Sequence, residues 1–114
     1  MEGTFGQKLR TLRRAANVTQ RKLAELVGVD FSYISKLEND RLAPPSADTI
    51  VKICKALGVT PDELLAASGK MPPQVQQGIV SSPAAIQFLR SAQAMRLSET
   101  EWRQLSEQLK RLRE

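Results

Sequence analysis

Residues 19–39 read TQRKLAELVGVDFSYISKLEN, and the fold turns on this stretch. Thr19 is placed to cap a short helix whose apolar positions, Leu23, Ala24 and Val27, fall on one side. Gly28 stops that helix, because glycine readily takes the left-handed conformation that ends one. Val29-Asp30 reopens the chain, with Asp30 as the expected N-cap of a helix that turns Ile34 and Leu37 inward. The pattern predicts two short helices joined by a tight, glycine-containing turn.

The same periodicity extends outward in both directions. Upstream, Phe5, Leu9, Leu12 and Ala16 recur at three- and four-residue steps and form one stripe, which Asn17-Val18 breaks. Downstream, Asp40 to Pro45 reads as a loop, since Pro44-Pro45 cannot continue a helix, and Ser46 is placed to cap the next one. Ile50, Ile53, Cys54 and Leu57 share a face of the fourth helix, which ends at Gly58. Thr60-Pro61-Asp62-Glu63 combines a cap, a proline at the first helical position and a capping-box glutamate. Leu64 and Leu65 complete a fifth helix that Gly69 ends.

The boundary is drawn there, giving segments 1–69 and 70–114. In the second segment Gln74 to Val80 is read as one or two turns. Ser82-Pro83 starts a helix through Ile86, Leu89, Ala92 and Met95, and Ser98 with Glu101 forms a capping box. The last helix carries Trp102, Leu105, Leu109 and Leu112. No strand pattern occurs, so the expected class is all-α.

Composition narrows what such a chain can do. Its 114 residues suit one domain, or one domain with a short appendage. Histidine is absent and cysteine occurs once, which excludes zinc sites built from Cys and His, His-based triads and an internal disulfide. With carboxylates scattered over capping and solvated positions, no nucleophile and base can be paired. The chain is therefore read as a non-enzyme with no cofactor and no metal. The opening Met-Glu-Gly-Thr-Phe-Gly is not a basic-then-apolar leader and no apolar run approaches a membrane span, so a cytoplasmic protein without a membrane partner is expected. The net charge of +5 is unevenly spread: +3 over residues 1–45, −1 over 46–69 and +3 over 70–114. The first share points to an anionic partner.

Two short helices around a tight turn have the shape of a helix-turn-helix. Residues 19–39 resemble the core of the lambda-repressor-like (Cro/cI, XRE-type) DNA-binding domain. The likeness continues through Ala56-Leu57-Gly58-Val59-Thr60-Pro61-Asp62-Glu63-Leu64-Leu65 and covers about 65 residues. It implies a five-helix domain, double-stranded DNA as partner, and the helix at about 30–39 in the major groove. A recognition helix must offer a polar row to the groove while its other face holds the core. With Ile34 and Leu37 inward, Phe31, Ser32, Ser35 and Lys36 fall on the opposite side. By the resemblance these reach base edges: Lys36 for guanine O6 and N7, Ser32 and Ser35 for several bases, Phe31 for a thymine methyl. Gln20 is implied to bond a phosphate and to brace a side chain of the recognition helix. Tyr33 is read as touching a phosphate or a base, or as packing beside the turn. Asn39 and Arg41 fall where the family's loop grips the backbone.

Other positions have structural readings. The resemblance implies a bridge between Arg13 and Glu38 that holds the motif together. Asp30 stands where serine or threonine is commoner, and capping is its expected role. Asp40 replaces the family's usual glycine at a left-handed position, which aspartate visits at some cost. Cys54 is expected to be a small buried hydrophobe.

The second segment lacks the length and strands of the self-cleaving domain found on some repressors. Its last helix, folding back on the Ile86, Leu89, Ala92 stripe, would give a hairpin. Two hairpins could pack as a dimer through Ile86, Leu89, Trp102, Leu105, Leu109 and Leu112, which matches a near-palindromic operator. The alternatives are that the hairpin docks on its own DNA-binding domain, or that it binds a toxin while the first segment autoregulates an operon. The leading expectation is a sequence-specific transcriptional regulator, a repressor acting as a homodimer.

Overall fold

A computed structural model describes residues 3–114, which contain eight helices and no strand. They divide into two compact units, Met1–Pro73 and Gln74–Glu114. The division falls beyond the boundary drawn at Gly69. Lys70 belongs structurally to the first unit, because its Nζ donates to the carbonyls of Pro44 and Pro45, both at 2.9 Å.

The first unit holds α1 (Phe5–Ala15), α2 (Gln20–Val27), α3 (Phe31–Glu38), α4 (Ala47–Leu57) and α5 (Asp62–Ser68). These are the five helices that the apolar spacing marks out. Leu9, Leu23, Ile34, Leu37, Ile50, Ile53 and Leu64 are fully buried, so every one of the five helices contributes to a single core. α3 packs on both α1 and α2, and its position is set from two sides. Cys54 lies in this core as an apolar residue, and burial pushes its thiol pKa up, away from the reactive thiolate.

Caps decide where the helices begin and end. The Thr19 hydroxyl accepts from the Lys22 N–H at 3.0 Å and opens α2, and Ser46 caps α4 by accepting from Thr49 N–H. Gly28 closes α2 at φ 82°, a conformation that would strain any residue with a Cβ. Two expected caps do not form. Asp30 occupies the N-cap position of α3, yet its side chain makes no capping bond. The Tyr33 N–H, the group it would have bound, donates at 3.0 Å to the Asp30 carbonyl instead. At α5 the cap position falls to Pro61, whose carbonyl accepts from Leu65 N–H, and the Thr60–Glu63 box is not made. Asp62 and Glu63 still place negative charge in the first turn, where the helix dipole favours it.

One unexpected clasp holds the loop after α3 to the start of α1. Asp40 has the left-handed backbone that its place predicts, φ 56°. Its carboxylate accepts from the Gly6 N–H at 2.9 Å and from the Thr4 hydroxyl. α1 has no acidic residue in its own first turn, so Asp40 supplies the missing negative charge from outside. An aspartate in place of glycine thus trades backbone ease for a charge-assisted bond.

The second unit holds α6 (Pro73–Val80), α7 (Pro83–Met95) and α8 (Glu99–Arg111), α6 overlapping the division by Pro73. Ser82 caps α7, and Ser98 with Glu101 forms the expected capping box of α8. Arg96, left-handed at φ 50°, ends α7 and starts the return. Phe88 and Ala92 of α7 and Leu105 of α8 line one shallow apolar concavity of about 250 Å³. Phe88, Trp102, Leu105, Leu109 and Leu112 line a second, of about 330 Å³. Ala92 is the buried apolar residue of this unit among those described.

Candidate nucleic-acid interface

The outer face of α3 carries the predicted row. Ser32 and Lys36 are exposed, Ser35 is half-buried, and Phe31 at the first helical position is 40% exposed. Residues 31, 32, 35 and 36 share one side of the helix, opposite Ile34 and Leu37. Tyr33 is half-buried and packs against the core. It also lines a shallow hollow with Gly28, Val29 and Asp30. Asp30, free of any capping bond, is exposed beside that row.

The inner end of α3 is fastened by a carboxylate with four partner contacts. Glu38 is 1% exposed. Arg13 donates to it through Nε at 2.5 Å and Nη2 at 2.9 Å, Arg10 through Nε at 3.3 Å, and Gln20 through Nε2 at 3.0 Å. Arg13 Nη1 also donates to the Val18 carbonyl at 2.8 Å, which ties in the turn before α2. Burial pushes the Glu38 pKa up. The bonds from Arg13, Gln20 and Arg10 and the Arg13 charge outweigh it and hold the pKa below the ordinary carboxylate value. The hydrogen bond to Glu38 raises that of Arg13. Among the described residues no buried side-chain nitrogen or oxygen lacks a partner.

This network brings Gln20 to α3 as a brace. Its amide nitrogen is engaged with Glu38, and the residue stands beside the capped start of α2. Asn39 is exposed, but both ends of its amide are engaged: Oδ1 accepts from Arg10 Nη2 at 2.9 Å, and Nδ2 donates to the Ser35 carbonyl at 2.9 Å. Arg41 is exposed, and its N–H donates to the Lys36 carbonyl at 2.9 Å, so the loop begins hydrogen-bonded to α3.

Three further arginines, Arg10, Arg14 and Arg21, stand at this surface, and the sequence marks them unequally. Arg10 could have been found, since it lies one turn from Arg13 on the same side of α1. Arg14 and Arg21 could not, because they join the site through tertiary packing. With Arg13, Thr19, Gln20 and Phe31 they line an open concavity of about 560 Å³ between the start of α2 and the start of α3. Its wall is basic and lies at the N-terminal end of α2, where the helix dipole favours an anion. Among the described residues no group of three or more Cys, Asp or Glu side chains is placed to hold a metal ion. No helix among the described residues is long and apolar enough to cross a membrane.

Comparison with known proteins agrees with this geometry. The family description Helix-turn-helix matches residues 9–64. The control protein C.BamHI of Bacillus amyloliquefaciens is 45% identical over 62 residues, 54% of this chain and 75% of that protein. The uncharacterized HTH-type transcriptional regulator RghRB of Bacillus subtilis (strain 168) is 43% identical over 65 residues, 57% of this chain and 47% of its own length. Among solved structures, the master regulator for biofilm formation SinR in complex with DNA superposes with a TM-score of 0.51 at 31% identity, over 54% of this chain and 98% of that one. The chain belongs to the lambda-repressor-like (XRE-type) helix-turn-helix family. The chain spans about half the length of RghRB.

Proposed function

We propose that the chain is a sequence-specific DNA-binding transcriptional regulator, a repressor, which binds a near-palindromic operator as a homodimer. The observation that carries this reading is the two-sided α3: a core-fastened inner face, and an exposed row of Phe31, Ser32 and Lys36 flanked by basic side chains. A groove-reading helix needs both, since base contacts discriminate only from a fixed position. Lys36 reads guanine, Ser32 and Ser35 contact neighbouring bases and Phe31 meets a thymine methyl. Gln20, Tyr33, Asn39 and Arg41 serve the backbone, with Gln20 and Asn39 acting partly through the helix they brace.

Dimerisation is assigned to the second unit. Ile86, Leu89 and Trp102 are partly exposed, Leu109 and Leu112 strongly so, and Leu105 is half-buried, so apolar surface stays uncovered in the single chain; Leu112 is 76% exposed. A second copy would bury it and provide the dyad that a palindromic site requires. Solution mass tests this directly: a mass twice that of the chain is expected, and a monomer or an obligate complex with an unlike protein, such as a toxin, would contradict it.

The groove assignment has its own test. Affinities for a duplex recovered by selection and for a scrambled one are compared across salt concentrations. Lys36→Ala is expected to narrow the difference between them by about 1–2 kcal/mol, the size of one base contact. Arg41→Ala is expected to weaken both duplexes alike and to reduce the salt slope by about one. If Lys36→Ala leaves affinity and preference unchanged, the groove assignment is wrong.

A further inference from the structure

Arg21 stands on α2, yet its guanidinium carbon lies 4.6 Å from the centroid of the Phe31 ring at the head of α3. The attraction is that of a cation for the face of an aromatic ring. The other arginines near this surface show why the contact matters. Arg10 and Arg13 give their donors to Glu38, Asn39 and Val18. Arg21 has no carboxylate partner among the described residues, and Glu25 of the same helix is taken up by Lys22 at 3.7 Å. A ring face can orient a guanidinium without consuming its N–H groups, so Arg21 is aimed while its fork remains available.

The pair also has the spacing of a reader. Two groups stacked at 4.6 Å are separated by the order of one base step, roughly 3.4 Å along a strand. Phe31 is partly exposed and Arg21 is exposed, so both have surface to offer successive bases. A ring edge fits the C5-methyl of thymine, and an arginine fork fits O6 and N7 of guanine. We infer that Arg21 and Phe31 act as one composite reader of a thymine–guanine step, with Phe31 on the methyl and Arg21 on the guanine. This makes Arg21 a specificity-determining residue contributed by α2, and it rests on the reading of α3 as a groove helix.

The test uses the full chain and the duplex it recovers from a random-sequence library. Replacing the thymine of the step by uracil removes the methyl, and replacing its guanine by 7-deazaguanine removes N7. Each is expected to weaken binding by the native chain, about tenfold for the guanine change. Arg21→Ala should no longer distinguish 7-deazaguanine from guanine, and Phe31→Ala should no longer distinguish uracil from thymine. Arg21→Lys should restore only part of the guanine preference, because an ammonium can reach guanine as Lys36 does but lacks the planar fork that the Phe31 ring orients. Uniform weakening by Arg21→Ala with full rescue by Arg21→Lys would mark a phosphate contact and overturn the inference. A native chain with a clear recovered sequence that Arg21→Ala leaves intact overturns the inference alone. A native chain that recovers no sequence at all overturns the DNA reading and this inference with it.

Discussion

Glu38→Ala is expected to destabilise the first unit by about 3–5 kcal/mol, the usual cost of removing one partner from a buried ion pair. The whole stability of a domain this size is only about 5–15 kcal/mol. Alanine would leave Arg13, itself 7% exposed, with the Val18 carbonyl as its one remaining hydrogen-bond partner. The amide of Gln20 and Nε of Arg10 would lose their acceptor at the same time. Denaturant unfolding measures the effect, and a loss below about 1 kcal/mol would show that the network is not holding α3.

Glu38→Gln adds a pH dependence. The folded pKa of Glu38 lies below its ordinary value, so its contribution is complete above about pH 4.3, the unfolded pKa, and is lost as pH falls through the depressed folded value. Glutamine has no such proton to gain. The native protein should therefore be the more stable of the two near neutrality, with the gap narrowing as pH drops below about 4. A gap independent of pH would contradict the assignment.

Gly6→Ala is the second large effect, expected at about 3 kcal/mol, the upper end for forcing a methyl into a packed site. A Cβ at Gly6 would be driven against the carbonyl oxygens of Leu37 and Glu38 and a carboxylate oxygen of Asp40. The two carbonyls belong to the last turn of α3 and cannot swing aside as a flexible side chain would. α1 would have to lift from α3, loosening both the Asp40 clasp and the Glu38 network. The expected result is a fall in unfolding midpoint together with weakened binding of every DNA sequence tested. Unchanged stability in Gly6→Ala would show that the contact between α1 and α3 gives way at little cost.

Much of the first unit was legible because its signals are local. Leu9, Ile34, Ile53 and Leu64 sit at helical spacing, and Thr19, Gly28 and Ser46 punctuate the chain where the helices start and stop. The exposed row on α3 followed from the same periodicity once Ile34 and Leu37 were turned inward. Caps were misjudged where backbone geometry competes with the side chain, as at Asp30 and Thr60. The least legible features join residues distant in sequence: Arg21 with Phe31, Arg10 with Asn39, and Thr4 and Gly6 with Asp40. No periodicity encodes such pairs, since they exist only after the helices pack. The apolar seam of α8 was visible as spacing, whereas its partner was not, because a seam specifies that it must be covered and not by what.

Whether α3 reads base sequence from a dimeric frame is decided by selection of bound duplexes from a random double-stranded library. The expected result is one enriched motif arranged as two inverted half-sites whose centres lie about one helical turn, roughly 34 Å, or a multiple of it apart. Recovery of duplexes with no shared sequence, at salt concentrations where the chain still binds, would contradict it.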